Sequence, residues 1–226
     1  MTFSFEPEKT YRLKYHASAD NCLFNSDESY IHFLKCFTET MLPLLNTYAY
    51  CLLPKEFSYL VEVKSEKEIF DFLKHENRIP EEQLNFSSYK ELSDTAAPQI
   101  GNMFALQVTK QFHGFIHQAN GLLSKTTSPK IKINASSVQK ESIESNEAFI
   151  ETIIDIHNKP CEMGLSELPE KWKFSSYSAY LSDKPSAIKR DKALNLLNDK
   201  IGFRAAHSQS NFHKISEESS TVKAGI

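Results

Sequence analysis

The sequence predicts an α+β fold: one antiparallel sheet with helices packed on one face, followed by a C-terminal helical extension. Three observations carry this prediction. Residues 10–18 alternate apolar and polar, the period of a half-buried strand. Residues 46–53 and 56–63 are apolar runs joined by the tight Leu53-Pro54-Lys55 connection. Two stretches, 27–44 and 99–119, carry apolar residues at helical spacing.

In the first strand Tyr11, Leu13, Tyr15 and Ala17 fall on one face. Arg12, Lys14, His16 and Ser18 fall on the other. Asn25, Ser26 and Asp27 are cap-type residues before Tyr30, Phe33, Leu34, Phe37, Met41 and Leu44, which form one helical stripe. After the hairpin, Ile69, Phe72 and Leu73 predict a short helix over 66–75. Residues 76–98 are polar, with Pro80 and Pro98, and read as irregular.

The second long helix is followed by a predicted loop at 120–128 and a short alternating strand at Lys130–Asn134. Residues 135–145 are polar. A helix is expected over 146–157, ended by Pro160 and Gly164, and another over 186–199. The order strand, helix, strand, strand, helix, strand is that of a ferredoxin-like sandwich. The expected division is a domain over 1–182, then a C-terminal helix and a polar, mobile tail over 183–226.

Composition narrows the function. The hydrophobic fraction is 40% and the charged fraction 24%, ordinary for a globular protein. The formal net charge of −3 argues against a strong overall grip on nucleic acid, while leaving room for a local basic face. Cys22, Cys36, Cys51 and Cys161 form no C-x-x-C pair, so no zinc ribbon or dithiol motif is indicated. Scattered thiols, and a start without a basic or apolar leader pattern, predict a cytoplasmic protein. No apolar run reaches the roughly 18 residues of a membrane span.

The runs TYAYCLLPKEFSYLV at 47–61, FIETIIDIHNKPCEMGLSELPEKWKFSSYSAYLSDKP at 149–185 and GFRAAH at 202–207, in this order and spacing, resemble the single-tyrosine His-hydrophobic-His (HUH) transposases of the REP-associated and insertion-sequence (IS-two-hundred-like) type. Residues 47–61, TYAYCLLPKEFSYLV, are similar to the family's signature strand, in which Met-Pro-Asn-His-hydrophobic-His sits between apolar segments. The helix and loop near 99–123 are similar to the segment that bears the family's tyrosine. Residues 149–185 are similar to the family's ending, Tyr-Ile-His-x-Asn-Pro, a later Gly, then Trp-x-x-Ser-Ser-Tyr. Ile156, His157, Pro160, Gly164, Trp172, Ser175, Ser176 and Tyr177 fit, while Asp155 and Lys159 depart. GFRAAH at 202–207 resembles the tail that follows. The likeness spans most of 10–207.

The resemblance implies a metal-dependent nuclease and strand transferase acting on single-stranded or hairpin DNA, often as a homodimer. Its two histidines, two apart on a strand, would hold Mg²⁺ or Mn²⁺ to polarise a phosphate. A tyrosine on the facing helix would attack that phosphate and link to DNA. Here Glu56 and Ser58 stand at the histidine positions and Val108 at the tyrosine position.

A glutamate can offer an oxygen to a hard cation, but serine is a poor substitute for imidazole and valine has no nucleophile. The expectation is therefore a catalytically degenerate member with no metal cofactor. Glu56 and Ser58 are expected to face solvent on a half-exposed strand, and Val108 to extend the apolar stripe of Phe104 and Phe112.

Remaining candidates follow. His113 and His117, spaced i, i+4, are a weak metal pair, with Glu56 a weak third candidate. DNA contacts are expected at Arg12, Lys14 and His16 on one strand face and at Lys125, Lys130 and Lys132. A relocated nucleophile would have to be Tyr89, Tyr177 or Tyr180. The leading expectation is a transposase-type DNA-binding protein that no longer nicks or transfers strands. The alternative is a protein-interaction or dimeric module with no DNA role.

Overall fold

The structure, a computed structural model, describes residues 4–18, 22–76, 88–126 and 132–208. Four strands, β1 (Thr10–His16), β2 (Leu45–Leu53), β3 (Glu56–Val63) and β4 (Gln139–Ile143), form one sheet in the order β2-β3-β1-β4. Every pairing is antiparallel. This is the α+β, ferredoxin-like strand order that the sequence predicts.

The helices are α1 (Asp27–Met41), α2 (Glu66–His75), α3 (Tyr89–Thr126), α4 (Asn146–Glu162), α5 (Tyr177–Leu181) and α6 (Asp191–Leu196). A last helical stretch, α7, covers residues 200–208. α1 begins at a capping box in which Ser26 and Ser29 satisfy each other's backbone N–H groups. Ser65 and Glu68 do the same for α2.

Three elements differ from the sequence reading. The fourth strand is Gln139–Ile143, inside a segment that looked merely polar; of the predicted strand at 130–134, residues 132–134 are not in a strand and the first two lie outside the described residues. β4 is short, charged and mostly exposed because it is a sheet edge, and such edges carry little apolar signal. α3 starts ten residues early and absorbs part of the predicted irregular segment and of the following loop.

α4 runs on past His157 and Pro160 to Glu162. It stops at Gly164, whose φ of +67° suits glycine. There the Leu165 N–H donates to Pro160 O and the Gly164 N–H to Cys161 O, a Schellman ending.

The sheet is covered on both faces, not one. Tyr11, Leu13, Leu52, Phe57, Tyr59 and Val61 pack with α1, α2 and α3 in a core rich in phenylalanine. Phe33, Phe37 and Phe115 meet there edge-on, at centroid separations of 5.3 Å. On the opposite face Ala49, Cys51, Leu53 and Leu60 pack with Phe149, Ile153 and Ile156 of α4, and with Tyr177, Tyr180, Ala193 and Phe203.

The C-terminal helices are thus what covers the second face. A β-bulge between Thr47 and Ala49 swaps the faces of β2 and turns Tyr48 toward Phe149.

The β2 edge is closed by the segment that carries the Trp-x-x-Ser-Ser-Tyr run. The Leu52 N–H donates to Phe174 O and the Ser176 N–H to Tyr50 O. The Trp172 indole donates to Leu52 O at 2.9 Å, and the Tyr180 hydroxyl to Tyr48 O at 2.9 Å. Further along, the Lys189 N–H donates to Thr47 O at 2.8 Å. An otherwise open edge is therefore hydrogen-bonded along most of its length, which removes a template for aggregation.

Candidate nucleic-acid interface

β3 places Glu56, Ser58 and Leu60 on the α4 face of the sheet. Glu56 and Ser58 do not face solvent as expected: their exposures are 7% and 3%. The reason is the C-terminal cover, which turns a half-exposed strand into one buried on both sides. In register beside them on β1 stand His16 against Glu56, Lys14 against Ser58 and Arg12 against Leu60. The predicted basic face and the Glu56–Ser58 pair therefore share one surface.

On that surface the charges cancel in pairs. Glu56 Oε2 lies 3.3 Å from His16 Nδ1 and 3.5 Å from Lys14 Nζ. Arg12 Nη2 donates to Asp155 Oδ2 of α4 at 2.5 Å. Asp155 and Glu56 both occupy positions where the resembled family carries other groups, a tyrosine and a histidine. Here both serve as counter-ions to β1. Ser58 Oγ is buried and has no hydrogen-bond partner among the described residues. A cleft of 230 Å³ beside them is lined by Arg12, Lys14, Gln139 and Glu141, so it mixes both signs.

If Glu56 is a buried counter-ion, Glu56→Gln should cost about 1–2 kcal/mol, because Lys14 and His16 lose their carboxylate. Urea denaturation measures this. A solvent-facing glutamate would give a change within about 0.5 kcal/mol.

Val108 is fully buried among Phe104, Phe112 and the sheet residues of the α1–α3 face. It therefore lies across the sheet from Glu56 and Ser58. The three positions do not form one site within the chain, and Val108 extends the apolar stripe of Phe104 and Phe112 as its spacing predicts.

The other candidates are similarly dispersed. His113 and His117 lie on the solvent face of α3. Among the described residues no three His, Cys, Asp or Glu side chains are placed to hold a metal ion. Lys125 and Lys132 are exposed on and beside α3, the layer opposite the β1 strip. Lys130 lies outside the described residues, as do the predicted strand's first residues and the tail beyond 208.

The alternative tyrosines are held in unreactive settings. The Tyr89 hydroxyl donates to Glu66 Oε2 at 2.7 Å, and this bond pushes its pKa up to about 12. Burial raises the pKa of Tyr177, and of Tyr180 further. Raised values disfavour the phenolate that a nucleophile needs.

What sequence reasoning missed is a buried polar knot. His157 Nε2 lies 2.8 Å from Ser176 Oγ, and His157 Nδ1 lies 3.1 Å from His207 Nε2. His207 Nδ1 lies 2.7 Å from Phe203 O. A carbonyl only accepts, so His207 carries its proton on Nδ1 and accepts at Nε2. His157 must then donate from Nδ1 and accept the Ser176 hydroxyl at Nε2. Ser176 Oγ in turn accepts the Tyr50 N–H at 2.8 Å.

The whole relay is forced, neutral and 2% exposed or less. Burial, with the neighbouring imidazole, lowers the His157 pKa well below the ordinary value. Burial lowers that of His207 to about 4. Asn158 adds a bond to His207 O at 3.1 Å. A serine beside a histidine resembles a hydrolase pair, but Ser176 Oγ is sealed and already bonded to Tyr50. The knot therefore ties α4, the β2-edge segment and α7 together. These are the three places where the Ile-His, Ser-Ser-Tyr and GFRAAH runs stand.

No family model matches this sequence, and no curated protein matches it. Among solved structures, the chain shows a likeness to a REP-associated tyrosine transposase bound to a REP hairpin. The TM-score is 0.44 and the identity 10%, over 85% of this chain and 94% of that one. Among the described residues no helix is long and apolar enough to cross a membrane.

Proposed function

We propose that this chain is a transposase-type DNA-binding protein that has lost strand nicking and transfer. The observation that carries the loss of chemistry is Glu56. At the position of a metal-binding imidazole there is a buried carboxylate engaged by Lys14 and His16, roofed by α4, with Ser58 sealed beside it. Val108, at the nucleophile position, is core packing on the other side of the sheet. A divalent ion would have to displace Lys14 and His16 from Glu56 and would find no imidazole partner on β3.

DNA binding rests on the order and spacing of the resembling segments. The ligand class is single-stranded or hairpin DNA. Incubation with labelled single-stranded DNA and Mg²⁺ or Mn²⁺, followed by denaturing electrophoresis, should give no covalent protein–DNA adduct. An adduct would overturn the loss of chemistry. Titration of hairpin and single-stranded DNA at low salt should give salt-sensitive binding, and its absence would sink the DNA reading.

One observation favours a second reading, a homodimeric or protein-interaction module. Among the described residues β4 has a single sheet neighbour, β1, so its outer edge offers backbone groups to a further strand. Light scattering that gives a monomer, with no captured partner in a pull-down, would remove this alternative.

A further inference from the structure

The β1 strip is a poor candidate for gripping a phosphate chain, because Arg12, Lys14 and His16 each already face a carboxylate. A different surface lacks this defect. The chain has 29 Asp and Glu residues, yet residues 95–140 contain none. Most of that run is α3, whose inner side packs on α1 and the sheet through Phe104, Val108, Phe112, Phe115 and Ala119. Its outer side exposes Lys110, His113, His117, Gln118 and Lys125. At 100° per residue Lys110, His117 and Lys125 fall within one narrow arc. Lys110 and Lys125 make no ion pair among the described residues.

Two glycines lie on the same arc. A Cβ at Gly114 or Gly121 would meet nothing within 4 Å, so internal packing does not require either. Glycine inside an exposed helix costs stability relative to alanine. Between the two lysines they leave the backbone bare on either side of His117. From Lys110 to Lys125 the strip is about 22 Å long, enough for several consecutive phosphates. Its charge is of one sign where the rest of the molecule is mixed or acidic, which selects a polyanion over a protein surface.

We propose that the solvent face of α3, from Lys110 to Lys125, is the surface that docks the DNA phosphate backbone, in place of the β1 strip. This rests on the DNA-binding reading above and specifies where binding occurs. The lysines position the strand electrostatically and read no sequence.

The test compares the intact chain with a Lys110→Glu/Lys125→Glu variant and a Lys14→Gln variant, titrating labelled oligothymidylate and a labelled DNA hairpin across a salt series. Both α3 positions are exposed, so circular dichroism and thermal melting should be unchanged. The α3 variant should bind at least tenfold more weakly. Its log–log salt slope should fall by about 1.4 on the single strand, two phosphate contacts having been lost. Lys14→Gln should bind within a few-fold of the unaltered chain. If the unaltered chain binds and the α3 variant binds equally well, this docking surface is wrong while the DNA reading stands. If the unaltered chain binds neither probe at low salt, the DNA reading itself fails.

Discussion

Replacing His157 with Ala is expected to cost about 4 kcal/mol of folding stability, the largest effect of any single polar side chain here. The imidazole is fully buried and is both acceptor and donor, to Ser176 and to His207. Its removal leaves a cavity among Tyr177, Tyr180 and Phe203 and strips a partner from each of two sealed polar groups. Three segments far apart in sequence lose their common tie, so the β2 edge and α7 should loosen together. Urea denaturation gives the magnitude. Hydrogen exchange at the Tyr50 and Leu52 amides reports the loosening of the edge, since their acceptors, Ser176 Oγ and Phe174 O, lie in the tied segment. A loss below 1 kcal/mol would mean that the knot does not hold the second core.

Acidification should act on the same place. Both knot histidines are neutral in the fold, with pKa values below the ordinary imidazole value of 6.5. The unfolded chain therefore binds more protons than the folded one once the pH falls below about 6.5. Stability is complete above that value and declines as the pH drops, until His207 itself titrates near 4. His207 alone should remove about 2 kcal/mol between pH 7 and pH 5, and His157 adds to this. Melting temperatures at the two pH values measure it. Ser176→Ala and His207→Gln variants, already destabilised, should show a flatter pH dependence than the unaltered chain only where an imidazole has been removed. A flat profile in the unaltered chain would contradict the neutral relay.

Much of the frame was legible because it follows simple periods. Residues 10–18 show one buried face in the pattern Tyr11, Leu13, Tyr15, Ala17, and the structure buries or half-buries all four. α1 and the β2–β3 hairpin lie within a few residues of their predicted bounds, since capping serines and Pro54 punctuate them.

β4 was not legible, because Gln139–Ile143 is an edge with almost no apolar content. Nor was the second sheet cover. A strand whose face reads Glu56, Ser58, Leu60 gives no sign that α4 and the helices after it will close over it. The missed knot follows from the same limit. His157 is 19 residues from Ser176 and 50 from His207, and only the packed fold brings them to hydrogen-bond range. Residues that resemble the transposase ending have packing roles here: Trp172, Ser176 and His157 close an edge and tie helices.

For the candidate chemistry the sequence offers only an expectation: Glu56, Ser58 and Val108 are not the residues that metal and nucleophile chemistry uses. What it could not foresee is the new occupation of Glu56, whose carboxylate faces His16 and Lys14. The Glu56 carboxylate is a buried ion-pair partner rather than an open ligand.

The most direct test of that claim is a titration of the intact chain with Mn²⁺, followed by paramagnetic resonance and calorimetry, beside a Glu56→Gln variant. An ion-paired, buried Glu56 predicts no stoichiometric Mn²⁺ site and indistinguishable isotherms for the two proteins. A one-to-one site in the intact chain that disappears in Glu56→Gln would contradict it.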